Sequence, residues 1–215
     1  MKIGILGAGN MGTALGRVWL AAGHEICFGV REAPTAKTAA RLADVGSKSI
    51  AKPTLASIVE AAEFGDVVLV AVPWEATEAV VRQCAAQLAD KIVIDCTNPI
   101  KPDLSGLHLG HTTSAAEEIA RWAPAARVVK AFNTIGAGTV SDARFGDHSA
   151  GVFVCGDDAE ANQIVSRLAE EIGLEVIEAG PLVQARYIEP LAMLWIQLAI
   201  RGNYGSKIAV KLLRR

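Results

Sequence analysis

Short runs of aliphatic and β-branched residues alternate along the chain with longer Ala-rich stretches of helical period. That alternation is the signature of a parallel sheet joined by crossover helices. The apolar runs predict strands at Lys2–Leu6, Glu25–Gly29, Val67–Val72, Ile92–Asp95 and Arg127–Ala131, with a later pair at Gly151–Cys155 and Glu175–Glu178. Helical spacing predicts helices at about Asn10–Ala22, Thr35–Val45, Thr54–Ala62, Ala76–Ala89, Ser114–Trp122 and Ala159–Ile172. Ser114 with Glu117 reads as a capping box. Strands apolar on both faces need helices on both sides. The expected fold class is α/β, a doubly wound, mostly parallel sheet.

The character changes at Pro181, a residue well suited to open a helix. The stretch "LVQARYIEPLAMLWIQLAI" is apolar around most of its circumference. Such a helix is buried, against its own sheet or against a partner chain, and a homodimer is the expectation. Pro190 is expected to kink or divide it, and a short last helix is expected near Ser206–Leu213. Residues 1–180 thus form the expected sheet domain and 181–215 a short C-terminal helical extension.

A length of 215 residues suits one domain with a modest appendage, and a 51% hydrophobic composition lets it bury a sizeable core. The formal net charge of −2 gives no long-range attraction to nucleic acid or anionic lipid, so neither is an expected partner. The longest apolar segment, Leu191–Ile200, is interrupted by Gln197. It is well short of the roughly 20 residues that span a bilayer. No leader-like stretch precedes Lys2, and Cys27, Cys84, Cys96 and Cys155 are scattered without paired spacing. Neither a disulfide framework nor a zinc site is indicated, and a cytoplasmic setting is expected.

"ILGAGNMG" places Gly7, Ala8, Gly9, Asn10, Met11 and Gly12 between an apolar strand and a helix. In the G-x-G-x-x-G pattern Gly7 permits the tight turn, Gly9 lets the backbone approach a pyrophosphate, and Gly12 lets helix and strand pack closely. The N–H groups of Asn10 and Met11 then face an anion at the positive helix end. A dinucleotide-binding, Rossmann-type domain follows. In such folds the second strand normally ends in Asp or Glu, which holds the adenosine ribose. Here "CFGVRE" ends it in Val30 and Arg31. Losing the acid and gaining a planar guanidinium suits the 2′-phosphate of NADP. Lys37 can add a second cation, while Glu32 is positioned to compete for Arg31.

Ligands of open α/β sheets lie beyond the carboxyl ends of the strands. Three loops there carry unusual residues: Val72, Pro73 and Trp74 in "VAVPW", Asn98 in "IDCTNP", and Asn133, Thr134, Ile135 and Gly136 in "VVKAFNTIG". Ile135 is expected to press one face of the nicotinamide, leaving the other to an acceptor oriented by Asn98, Asn133 and Thr134. No hydrolytic triad and no metal cluster is visible. His108 and His111 lack a neighbouring carboxylate or cysteine, and Cys96 reads as a small strand hydrophobe. No catalytic acid–base residue is assigned, in keeping with hydride transfer between redox rings, which needs positioning more than proton chemistry.

The blocks "IGILGAGNMGTALGRVWLAAGHEICFGVR", "VLVAVPWEA", "SAAEEIARWAPAARVVKAFNTI", "VFVCGDD" and "EAGPLVQARYIEPLA" occur in this order over nearly the whole chain. In them the sequence resembles the NADP-dependent 8-hydroxy-5-deazaflavin oxidoreductases, to which the oxidoreductase domain of the STEAP metalloreductases is related. The resemblance implies NADP(H) held by Ala8–Met11, Arg31, a lysine such as Lys37, and Pro73–Trp74, with Ile135 and Gly136 at the nicotinamide. It implies a small-molecule redox acceptor, either the deazaflavin or a flavin such as FMN or FAD. Val30 replaces a serine of the family, and Asn133 replaces a histidine of the archaeal deazaflavin enzymes. "FNTI" is closer to the metalloreductase version. Arg186 and Glu189, a recurring feature of the family, are expected to pair and fix the last helix to the sheet. Two other readings stand beside this one. One is an imine reductase similar to pyrroline-5-carboxylate reductase, which adds a large helical region for which little chain remains here. The other is an NADPH-binding sensor without turnover.

Overall fold

The computed structural model describes residues 1–31, 36–45 and 51–215, and of Lys37 the backbone alone. The chain opens with β1 (Lys2–Leu6), α1 (Asn10–Ala21), β2 (Glu25–Gly29), α2 (Ala36–Val45), β3 (Thr54–Ala56), α3 (Ile58–Phe64) and β4 (Val67–Val70). It continues with α4 (Trp74–Gln83), β5 (Ile92–Asp95), α5 (Ala115–Trp122), β6 (Arg127–Lys130) and α6 (Ala137–Ser141). A small hairpin, β7 (Arg144–Phe145) and β8 (His148–Ser149), leads into β9 (Gly151–Gly156), α7 (Ala159–Glu170) and β10 (Glu175–Gly180). A 3₁₀ turn at Leu182–Gln184 then precedes α8 (Ala185–Ile200).

Eight strands form one sheet in the order β10-β9-β6-β5-β4-β1-β2-β3. All its pairings are parallel except β6 with β9. The winding reverses between β1 and β4, which opens a crevice at their carboxyl ends. Runs such as Val67–Val70 and Ile92–Asp95 are buried throughout, so both faces are covered. On one face Trp19 of α1 meets Phe132 edge-on at 5.6 Å and donates its indole N–H to Leu168 O at 3.0 Å. On the other, Ala61, Val81, Ile119 and Ile188 close a second core.

Several expectations are corrected. Thr54–Ala62 is not one helix. Thr54–Ala56 pairs with β2 as an edge strand, and Ser57 then caps α3 in a full capping box with Glu60. Ser114 caps α5 by accepting from the Glu117 N–H, but the Glu117 carboxylate takes the Ser114 hydroxyl and Arg186 rather than the Ser114 N–H, so the box is only half made. α4 starts earlier, at Trp74, and ends at Gln83. Pro190 does not divide the last helix, which runs unbroken through it. The last helix expected over Ser206–Leu213 does not form. Asn203 and Gly205 take positive φ, and the tail that follows is held by other groups: Trp195 Nε1 donates to Ile208 O and Gly151 N to Val210 O, each at 2.9 Å. Along α8, Tyr187, Leu194 and Leu198 remain exposed on one stripe with Leu191. Among the described residues no helix is long and apolar enough to cross a membrane.

Candidate functional site

The glycine turn sits at the reversal of the sheet. Gly7 adopts φ +108° and donates its N–H to Gly29 O at 3.0 Å, which ties the turn to the end of β2. A Cβ on Gly7 would lie 2.6 Å from Ala71 O, and one on Gly12 would lie 2.5 Å from Gly7 O. The packing of the chain itself therefore demands both glycines. Gly9 is different. Its φ of −78° and ψ of −170° suit any residue, and a Cβ there would have its nearest neighbour, Ala71 O, at 3.9 Å. Nothing among the described residues excludes a side chain at Gly9, so the open space beside it can take a ligand. Gly9 caps α1 without a side-chain hydrogen bond, and no acidic residue stands in the first turn. Ala8 is buried behind this opening, while Asn10 is exposed and Met11 half-buried at the helix start. An uncapped helix start free of acid is suited to an anion.

Arg31 follows β2 by two residues and is exposed, with no ion pair or hydrogen-bond partner among the described residues. Val30 N donates to Ala56 O at 3.0 Å, fixing the backbone just before it. Glu32 and the Lys37 side chain lie outside the described residues.

Three loops meet over the crevice. Val72 and Pro73 leave β4, and Pro73 is the N-cap of α4, its carbonyl accepting from the Thr77 hydroxyl at 3.1 Å. Trp74 stacks on Trp122 with centroids 5.6 Å apart. The loops after β5 and β6 are joined by a reciprocal amide pair. Asn98 Nδ2 donates to Asn133 O at 2.9 Å, and Asn133 Nδ2 donates to Asn98 Oδ1 at 3.0 Å. The two bonds fix both amide orientations and leave Asn133 Oδ1 buried without a donor. The hydroxyls of Thr97 and Thr134 are also buried and unpartnered. Each such group is unfavourable by about 1–3 kcal/mol, a disadvantage a polar ligand can relieve. Phe132, with φ +64°, places a bulky residue in the left-handed region immediately before Asn133, a strained conformation of the kind that concentrates at functional sites. Ile135 is only 3% exposed and so offers little surface to the crevice. Gly136 backs onto the last helix and tail, where a Cβ would come within 3.1 Å of the Trp195 ring and 3.2 Å of Ser206 O.

Below these loops lies a group of charges that the sequence reading missed. Lys130 Nζ contacts Asp95 Oδ2 at 2.8 Å, Glu189 Oε1 at 2.8 Å and Thr97 O at 2.6 Å, with all three charged side chains fully buried. Burial alone would lower the Lys130 pKa, but Asp95 and Glu189 outweigh it and hold the ammonium above its ordinary value. Burial raises the Glu189 carboxyl despite Lys130 beside it. The expected Arg186–Glu189 pair is thereby corrected. Arg186 instead grips Glu117 of α5 with Nε at 2.9 Å and a terminal nitrogen at 2.6 Å, while Glu189 turns inward to the lysine. Both anchor α8, through different partners. Burial pushes the Cys96 thiol up to about 12, so it stays protonated and unreactive at neutral pH. His108 and His111 line another cavity, of about 600 Å³, with Pro190 and Met193. Among the described residues no cluster of three or more His, Cys, Asp or Glu side chains could hold a metal.

Residues 2–99, which carry the glycine turn and the first two crevice loops, match the family described as NADP oxidoreductase, coenzyme F420-dependent. The F420-dependent NADP reductase of Methanothermobacter marburgensis is 33% identical over 97% of this chain and 98% of its own. The chain belongs to the F420-dependent NADP oxidoreductase family. A solved structure from Arthrobacter sp. FB24, assigned as an F420-dependent NADP reductase, covers the whole of both chains with a TM-score of 0.88 at 31% identity. Metalloreductase STEAP3 of Rattus norvegicus is 34% identical over 89% of this chain, which corresponds to 36% of its own length.

In this member of the F420-dependent NADP oxidoreductase family, the residues singled out in the sequence fall at two places on one rim. Gly7–Gly12 form the turn into the open start of α1, Arg31 stands two residues beyond the end of the neighbouring β2, and Val72–Trp74, Asn98 and Asn133–Gly136 form the loops beyond β4, β5 and β6. Trp195 and Ser206, which wall Gly136 from behind, were not among them. A lysine and an aspartate ending neighbouring apolar strands, "VVK" and "IVID", were the one available signal for the buried charges.

Proposed function

We propose that the protein transfers hydride between NADPH and the 8-hydroxy-5-deazaflavin coenzyme F420. The observation that carries the reading is the asymmetry of the glycine turn: Gly9 alone has open space where a Cβ would stand, beside an uncapped helix start. A pyrophosphate fits that space, held by the N–H groups of Asn10 and Met11. Arg31, with no partner among the described residues, forks onto the adenosine 2′-phosphate. Val72–Trp74 line the path to the nicotinamide, with buried Ile135 and Gly136 backing the loop beneath it. The Asn98–Asn133 pair and Thr134 orient the acceptor, with the unpaired Asn133 Oδ1 and Thr134 hydroxyl offering hydrogen bonds. When bound, the dihydronicotinamide supplies a hydride, two electrons and one hydrogen, and the reduced acceptor gains its second hydrogen as a solvent proton. The chain contributes alignment and a dry lower wall, with no side chain required to move a proton.

The stripe of exposed Tyr187, Leu194 and Leu198 with half-buried Leu191 recurs at three- and four-residue steps. It supports a homodimer that buries α8 between subunits. The functional test is stopped-flow mixing of protein-bound NADPH with F420, FMN and FAD in turn, following loss of the nicotinamide absorbance. Rapid loss with F420 is expected. Loss with a flavin alone would reassign the acceptor, and no loss with any of the three would remove the proposal.

A further inference from the structure

The Thr97 peptide is clamped from both ends. Its N–H donates to Asp95 Oδ1 at 2.8 Å, and its carbonyl accepts from Lys130 Nζ at 2.6 Å. Thr97 is bonded directly to Asn98, whose amide forms the reciprocal pair with Asn133. Lys130 also reaches Glu189 of α8, and the Glu189 carboxylate in turn accepts from the N–H groups of Ala115 and Ala116 at the start of α5, at 2.9 and 3.3 Å. An ammonium group has three donors, and Lys130 has three acceptors around it, so its position is fully determined. Stability alone does not explain such a cluster, because well-packed apolar residues of similar volume often serve as well or better than buried ion pairs. A buried lysine does supply a rigid, directional hold on a backbone carbonyl that no apolar residue can give.

The geometry points to Lys130 as a positioning residue for hydride transfer: by holding Thr97 from below it sets the Asn98–Asn133 pair, and through Glu189 it links that pair to α8. Lys130 is fully buried under the loop and acts through Thr97. The inference rests on the hydride-transfer reading proposed above. The distance between donor carbon and acceptor ring depends on the Asn98–Asn133 pair, so loosening Thr97 lengthens and broadens that distance. The phosphate cradle at Gly9 lies on other elements and is untouched.

The test is steady-state and stopped-flow kinetics of wild type, Lys130→Met and Glu189→Gln, using NADPH and NADPH deuterated at the transferred position, with F420 as acceptor. Lys130→Met is expected to lower kcat on the order of 10- to 100-fold. KM for the acceptor and the primary isotope effect should rise, with NADPH affinity within about twofold of wild type. Glu189→Gln keeps Asp95 and Thr97 on the lysine and should move the same quantities in the same direction by less. Thermal melting of each variant gives the structural control. If Lys130→Met fails to fold, Glu189→Gln decides by the same readouts. A lowered melting temperature with unchanged isotope effect and acceptor KM would show a merely structural cluster and overturn the inference. Absence of hydride transfer in wild type would instead overturn the function first, and the inference with it.

Discussion

Gly9→Ala should separate binding from folding, and Gly12→Ala should not. At Gly9 the backbone angles are open to alanine, and the new Cβ would have 3.9 Å to its nearest neighbour. Reducing unfolded-chain freedom stabilises by about 0.4–1 kcal/mol, while alanine is a poorer helix cap than glycine by about the same amount. The two terms offset, so the melting temperature should stay within about 3 °C of wild type. At Gly12 the Cβ would lie 2.5 Å from Gly7 O, a backbone atom in a strained turn that cannot move aside. Overpacking of that kind is unfavourable by about 1–3 kcal/mol, a drop of about 3–10 °C in a chain this size. In the binding arm, the Gly9 methyl occupies the space assigned to the pyrophosphate. NADPH affinity should fall at least tenfold, about 1.4 kcal/mol, in a protein that is otherwise intact. Scanning calorimetry and titration calorimetry on the same samples read both arms. Wild-type NADPH affinity in Gly9→Ala would refute the placement of the cradle. Equal destabilisation of the two variants would refute the packing argument.

Arg31→Gln should weaken NADPH about 10- to 100-fold, since hydrogen bonds to charged groups contribute about 1.5–3 kcal/mol, and leave NADH affinity unchanged. Titration calorimetry giving the same ratio for both nucleotides would sink the arginine assignment. Arg186 lowers the Glu117 carboxyl below its ordinary 4.5, chiefly through its hydrogen bonds. A depressed carboxylate contributes its stability above the unfolded value and loses it as pH falls through the folded one. The melting-temperature gap between wild type and Arg186→Met should therefore be constant near neutrality and shrink below about pH 4.5; a gap that persists in acid would show that the pair contributes through packing alone. Leu194→Lys should convert the proposed dimer to a monomer by light scattering at micromolar concentration, and a monomeric wild type would dismiss the proposed interface on α8.

What could be read from the sequence was local. The glycine turn lies within six residues, and the buried strands announce themselves as unbroken apolar runs, so β1, β2 and β5 fall where the pattern puts them. The three-residue strand β3 is exposed along most of its length and pairs on one side only, so its pattern carries too little burial to be told from the helix behind it. The tail reads as helix by composition, yet its backbone groups are taken by Gly151 and Trp195, distant in the chain. The buried charges were hidden for the same reason. Lys130 meets Asp95 and Glu189 across separations of 35 and 59 residues. The spacing of Arg186 and Glu189 on one helix suggested a local pair, where in fact each side chain found a stronger partner on another element.

The stacked indoles of Trp74 and Trp122 have an optical consequence. Two such chromophores 5.6 Å apart at an interplanar angle of 30° are excitonically coupled, so their near-ultraviolet dichroism reports their mutual tilt. One of them is the first residue of α4, directly after the proline that closes the β4 loop. Anything that shifts that proline changes the couplet, which makes the protein a label-free recorder of events at its own rim.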